Sequence, residues 1–372
     1  MAGTSRKLIV PQNVTDALRF VFYPGSREDI VSLGMVQEIR IAGQRISFSL
    51  VFQRSDDPNI EALVLSCEET VKECLGEHME IEGNIAVKFV HDMERPVLSQ
   101  VKNIVAVASG KGGVGKSTVA VNLSVALANT GAKVGLIDAD IFGPSIPKMF
   151  GAESDRPTGE KVRGREVINP IEKYGVKFLS IGFFVDSENA VIWRGPMASN
   201  ALKQLITEGN WGELDYLLID LPPGTSDIHL TLVQSVPVTG AVIVTTPQDV
   251  ALADVIRGVG MFQSKSINVP VLGLIENMSW FTPAELPENK YYIFGKDGGK
   301  MLADKLELEL LGQIPIVQSI CESGDNGIPI ATNPESFTGA AFAEVAKNVM
   351  HQVRIRNVER TPTEKVNTIK AT

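Results

Sequence analysis

Cysteine is nearly absent from this chain. Its 372 residues hold three, Cys67, Cys74 and Cys321, too few and too scattered for a disulfide framework. Histidine is as scarce: His78, His91, His229 and His351 stand at no metal-ligand spacing and read as structural or surface residues. No apolar run approaches the roughly 20 residues that a membrane helix needs. Met1 to Asn13 lacks the sustained apolar core of a secretory signal. These absences predict a cytoplasmic protein with no membrane partner. Positive charge is in deficit too. Lys and Arg number 35 against 44 Asp and Glu, a net charge of -9, which argues against a nucleic-acid surface, since phosphate backbones demand clustered Lys and Arg. No internal repeat is visible.

What remains is an ordinary globular composition, 44% hydrophobic and 21% charged, long enough for about two domains with real cores. Residues 1–95 predict a small α+β domain. A helical stretch around Val14, Leu18 and Val21 precedes alternating strands at Val36–Ile41 and Arg45–Leu50; a helix near Ile60–Leu75 and a strand at Ile85–Val90 follow. Glu94-Arg95-Pro96 marks a boundary, and 96–100 reads as a linker. Over 101–353 short apolar runs alternate with helical stretches, which implies an α/β fold: a mostly parallel sheet covered by helices. The strand candidates are Ile104–Ala108, Val134–Ile137, Val176–Ile181, Tyr216–Ile219, Ala241–Thr245 and Val271–Ile275. Residues 354–372, basic, aperiodic and broken by Pro362, read as a flexible tail.

The stretch that organises the second domain is Gly110-Lys111-Gly112-Gly113-Val114-Gly115-Lys116-Ser117-Thr118. It follows an apolar strand candidate and opens a segment whose Val119, Leu123, Ala126 and Leu127 recur at helical spacing. Strand, glycine loop and helix are the setting a phosphate loop requires. Glycines let successive backbone N–H groups curl around phosphate oxygens, and the helix start adds partial positive charge. Lys116 then neutralises the β- and γ-phosphates, and Ser117 offers a hydroxyl to Mg²⁺. Gly110, Gly112 and Gly115 also satisfy a dinucleotide-binding spacing, with Asp138 near the ribose position. Lys116-Ser117 decides for a nucleoside triphosphate, because a dinucleotide turn has no use for a lysine aimed at a terminal phosphate.

Two further segments point to the same reaction. Val134-Gly135-Leu136-Ile137-Asp138-Ala139-Asp140 ends a strand in carboxylates, and Asp140 is the candidate to orient an attacking water. Leu217-Leu218-Ile219-Asp220 ends another in the aspartate that supports Mg²⁺ beside Ser117, and Pro222-Pro223-Gly224 makes a stiff loop able to sense a γ-phosphate.

With Lys111 inside the loop, and with D-A-D-I-F-G-P-S and D-L-P-P-G-T-S-D behind it, the chain resembles the deviant-Walker P-loop ATPases that include ParA, MinD and the nitrogenase iron protein. Within them it is most similar to the Mrp/ApbC iron-sulfur cluster carriers, over nearly all of 101–350. The resemblance implies an ATP- and Mg²⁺-dependent homodimer in which Lys111 reaches the partner's nucleotide. It places Asn277 of Glu276-Asn277-Met278-Ser279 and Pro315 of Gln313-Ile314-Pro315 on the base side. Residues 11–95, with Asp29-Ile30-Val31-Ser32-Leu33-Gly34-Met35-Val36, resemble the metal-sulfur assembly domain often fused ahead of these ATPases. The implied activity is slow ATP hydrolysis coupled to handling clusters, with apo iron-sulfur proteins and assembly scaffolds as partners. The alternative within the same resemblance is a nucleotide-switched positioning or scaffold protein of the MinD or ParA kind. A further alternative gives partner recognition to the N-terminal domain and another cargo to the ATPase.

One departure is plain. Carriers of this type usually place C-x-x-C after the N-M-S segment, so that a dimer offers four thiolates to a [4Fe-4S] cluster. Here the chain reads Trp280-Phe281-Thr282-Pro283-Ala284-Glu285-Leu286-Pro287. Ser55-Asp56-Asp57-Pro58 likewise stands where relatives of the first domain often carry a cysteine before proline. Cys67 and Cys74, seven apart on one helical face and about 10 Å distant, and Cys321, which gives two thiolates per dimer, read as packed or inert thiols.

Overall fold

A computed structural model describes residues 9–363 and 365, apart from 27, 53–56, 90–97, 141–142, 163–164, 185–194, 284 and 287. The chain divides into two compact units, Met1–Pro96 and Val97–Thr372. The expected boundary at Glu94-Arg95-Pro96, part of the 96–100 linker and Ser55-Asp56 lie outside the described residues.

In the first unit, strands β1 (Val36–Ala42), β2 (Arg45–Phe52) and β3 (Ile85–Phe89) form one sheet. β1 runs antiparallel to β2, and β3 parallel to it. Alternation in β2 turns Ile46, Phe48, Leu50 and Phe52 inward, where they meet Leu63, Cys67 and Val71 of the helix Ile60–Leu75 and Val14 and Leu18 of the helix Pro11–Leu18. The first helix stops at Leu18, short of Val21. The Val21 amide turns back to the Leu18 carbonyl (3.1 Å), and its side chain is buried from beyond the helix.

The second unit is built on an eight-stranded sheet. Its strands are β4 (Val101–Ala108), β5 (Val134–Asp138), β8 (Ile171–Lys173), β9 (Val176–Ser180), β10 (Leu214–Asp220), β11 (Gly240–Thr245), β12 (Val271–Glu276) and β13 (Leu310–Gln313), in the order β13-β12-β11-β4-β10-β5-β9-β8. All neighbours are parallel except β8 with β9. The six apolar runs of the sequence are the six inner strands. The edges β8 and β13 and the separate hairpin β6 (Thr158–Val162) with β7 (Arg165–Asn169) were not expected. β6, β7 and β8 are short and polar, and β13 has only four residues, so pairing rather than pattern makes them strands.

Apolar residues on the two faces of this sheet form two cores. The helix Lys116–Asn129 is buried on all sides from Val119 to Leu127, between the sheet and the helix Phe337–Glu359. That explains its lack of a polar face. The two polar residues of that buried stretch are satisfied: Asn122 accepts from the Ala331 amide at 3.0 Å, and the Ser124 hydroxyl donates to the Val121 carbonyl at 2.7 Å.

The last helix corrects the tail expected over 354–372. It continues to Glu359, with Val353 and Arg356 buried. The Arg356 guanidinium donates to the Thr361 carbonyl (3.0 Å) and the Thr363 hydroxyl, and Asn357 donates to Asn103 at 2.8 Å. Its charged residues disguised this segment, because the Arg356 head is buried and paired rather than solvated. Residues 366–372 lie outside the described residues.

Candidate functional site

β4 lies in the middle of the sheet, with β10 on one side and β11 on the other. Its C-terminal end is therefore the crevice where parallel sheets receive ligands. The glycine loop leaves β4 there and enters the helix at Lys116. Gly115 sits at φ +77°, and a Cβ on it would fall 2.3 Å from Asn277 Nδ2. A Cβ on Gly110 would fall 2.4 Å from the Asp254 carbonyl carbon. The loop is thus glycine-bound by its neighbours as well as by the shape of a phosphate. Asn277 Nδ2 donates to the Val114 carbonyl at 2.8 Å, and the Ser109 hydroxyl donates to the Lys111 carbonyl at 3.0 Å. Asn277, expected on the base side, buttresses the phosphate loop itself.

The charged groups converge. Lys116 Nζ donates to Asp220 Oδ1 at 2.6 Å, and the Ser117 hydroxyl donates to Asp220 Oδ2 at 2.6 Å. Asp220 is wholly buried and Lys116 is 6% exposed. Burial drives the Asp220 carboxyl above the ordinary carboxylate range, while Lys116 and Ser117 oppose that rise. Asp140 Oδ2 stands 3.7 Å from Lys116 Nζ. Asp138 plays a different part: it is 1% exposed, accepts from the Ser180 hydroxyl at 2.8 Å and from the Asp140 amide at 3.2 Å. Burial first, then the nearby Asp220 charge, pushes Asp138 up to about 7. It fixes the backbone that presents Asp140.

Lys116, Ser117 and Asp140 line a cavity of about 230 Å³ that Ser109, Lys111 and Pro223 also border. Lys111 is exposed at its mouth. Gly110, Gly112, Gly113, Val114 and Thr118 complete the loop and the first turn. A phosphate chain there would meet free helix-start amides, Lys116 and a serine hydroxyl already paired with an aspartate, the donor set a Mg²⁺–phosphate unit uses. Pro315 is buried beyond β13, where the Ile314 carbonyl receives the Ser279 amide at 2.9 Å. The structure thus ties the Gln313–Pro315 segment to the Asn277–Ser279 segment.

The thiols do not assemble. Cys67 is buried in the first unit, and desolvation pushes it up to about 12. Cys74 and Cys321 are exposed, so Cys67 and Cys74 do not share an accessible face. Among the described residues no group of three or more His, Cys, Asp or Glu is placed to hold a metal ion.

Glu276 escaped the sequence reading, and His229, read there as structural or surface, is structural. Glu276, fully buried at the end of β12, accepts from the Gly299 amide at 2.5 Å and from Gln313 Nε2 at 2.8 Å, and so anchors the helix Gly298–Lys305. His229 is 1% exposed and caps its own helix from the third position after Ser226. The spacing Ser226-Asp227-Ile228-His229 is that of a capping box, which was the signal available.

Comparison with known proteins agrees with this geometry. The NUBPL iron-transfer P-loop NTPase profile matches residues 100–350, and that of an iron-sulfur cluster assembly protein matches residues 11–82. An iron-sulfur cluster carrier protein of Synechocystis sp. is 44% identical over 349 residues, 93% of this chain and 98% of its own. One from Escherichia coli is 48% identical over 296 residues, 77% of this chain and 79% of its own. Among solved structures, a nucleotide-binding protein in complex with ADP from Archaeoglobus fulgidus superposes with a TM-score of 0.56 at 33% identity, covering 73% of this chain and 96% of that one. The cell division ATPase MinD of Pyrococcus furiosus gives 0.50 at 26% identity, over 67% and 99%. Among the described residues no helix is long and apolar enough to cross a membrane. The chain belongs to the iron-transfer P-loop NTPase family, with an iron-sulfur assembly domain ahead of the NTPase.

Proposed function

We propose that this protein binds and hydrolyses ATP as a homodimer, and uses the cycle to carry iron-sulfur clusters to apoproteins. The observation that carries the reading is the convergence of Lys116 and Ser117 on Asp220, both at 2.6 Å, at the mouth of a glycine loop. In the nucleotide complex Lys116 turns from Asp220 to the β- and γ-phosphates, and the loop amides hold their oxygens. Ser117 and Asp220 are the residues to hold Mg²⁺, which supplies neutralisation of the phosphate charge. Asp140, held by Asp138, positions the attacking water, and Lys111 answers the partner's phosphates. Asn277 and Pro315 border the base. The carrier names of its relatives and the assembly domain at 11–82 support the cargo.

The test uses the full chain, reconstituted anaerobically with iron and sulfide, desalted, and mixed with an apo iron-sulfur protein. ATP turnover lost in Lys116→Ala, together with transfer of bound iron and sulfide to the acceptor, is the expected result. Turnover unchanged in folded Lys116→Ala overturns the site. Turnover without any bound iron or sulfide overturns the cargo.

A further inference from the structure

The loop after β10 is held at three places, and only two belong to the site described above. Its start is Asp220, bonded to Lys116 and Ser117. Its middle is tied to the phosphate loop, since the Gly224 amide donates to the Ser109 carbonyl at 2.9 Å. Pro223, between these points, lines the phosphate cavity. The third hold is His229.

The Ser226 amide donates to His229 Nδ1 at 3.2 Å, and the Ser226 hydroxyl lies 3.2 Å from the same nitrogen. An amide can only donate, so Nδ1 is the bare nitrogen and the ring proton sits on Nε2. Nε2 is buried and has no partner among the described residues. Its ring neighbour is Phe262, at 6.1 Å between centroids. Desolvation lowers the imidazole to about 4, so the ring is neutral near pH 7.

Leucine would fill the space, and glutamine would cap with a flexible amide. The ring instead gives a stiff arm from the helical core to the last residue of a loop whose other end is the buried aspartate. We propose that His229 is a positioning residue for the nucleotide site: its ring clamps Ser226 and thereby sets where Pro222–Gly224 lie against the phosphates. The effect on turnover rests on the hydrolysis reading above, whereas the clamp itself rests on geometry alone.

The test reads the two separately in the full chain. Loss of one hydrogen bond of this kind is worth a factor of about 3–10. In His229→Leu, amide exchange at Gly224 and Ser226 should therefore quicken by about 3–10-fold, while exchange at Gly112–Ser117 stays as in the parent. The kcat for ATP should fall by a similar factor, with KM within about twofold, as expected when a loop conformation rather than ground-state binding is lost. His229→Gln, which can accept from the Ser226 amide, should restore both. His229→Met, of similar volume and without a strong acceptor, should match His229→Leu and serves if the leucine variant does not fold.

Unchanged loop exchange in the leucine or methionine variant overturns the proposal. So does a glutamine variant as impaired as they are, since shape and not the bond would then matter. A parent protein without turnover whose variants still show the exchange difference would overturn hydrolysis and support the clamp.

Discussion

Replacing Lys116 by alanine strands a carboxylate. Asp220 is wholly buried, and its two acceptor contacts with this corner are the ammonium at 2.6 Å and the Ser117 hydroxyl at 2.6 Å. Breaking a buried pair from one side typically costs about 3–5 kcal/mol, because the remaining charge has lost its partner in a poorly polarisable place. Removing the other side is milder: in Asp220→Asn the ammonium keeps Asp140 at 3.7 Å. The double variant carries no stranded charge, so its loss should fall short of the sum by about 1–3 kcal/mol. The sign with pH follows from Asp220. Burial already raises its carboxyl, and without Lys116 it rises further, so the folded form binds a proton that the unfolded chain has released. The penalty of Lys116→Ala therefore grows as pH rises and shrinks on acidification. Urea unfolding of the ligand-free chain, followed by tryptophan fluorescence at pH 6 and pH 8, measures this. Trp193, Trp211 and Trp280 all lie in the second unit, so the signal reports that unit alone. Strictly additive losses, or a Lys116→Ala penalty equal at both pH values, would refute the reasoning.

Other outcomes follow from single features of the site. Asp138, raised from 3.8 to about 7, contributes stability below the unfolded value that is lost as pH rises through about 7. Asp138→Asn should therefore gain on the parent between pH 4 and pH 7, by no more than about 4 kcal/mol; parallel stability curves would disprove it. Gly115→Ala places a Cβ 2.3 Å from Asn277 Nδ2 at φ +77°. The strain, about 1–2 kcal/mol, should weaken ATP binding by roughly tenfold in calorimetry, and parental affinity would show that the loop relaxes freely. Brief iodoacetamide treatment of the native chain at pH 8 should label Cys74 and Cys321 and spare Cys67, which is buried and pushed up to about 12. Equal labelling of all three, read by peptide mass spectrometry, would contradict that burial.

Much of the site was legible because its chemistry is local in sequence. Gly110–Thr118 carries strand end, glycine turn and helix start in one run, Asp220 ends an apolar strand, and Asp140 follows another by two residues. Parallel sheets put such strand ends on one edge whatever the strand order. The inner strands were legible for the same reason, as apolar runs buried on both faces.

What the chain by itself determined, then, is the phosphate loop, the acidic strand ends, the alternation that makes a parallel sheet, and the want of a thiol pair. Only the tertiary structure decided that β4 lies between β10 and β11, so that Lys116 and Ser117 reach an aspartate more than a hundred residues away. It alone set Asn277 on the Val114 carbonyl, Asp138 beneath Asp140, His229 beneath the Ser226 loop, and Arg356 in a buried helix end rather than a tail. Each is a contact between polar groups whose geometry depends on strand order and helix packing. Residue pattern reports which faces are apolar; it carries no record of which buried donor meets which acceptor.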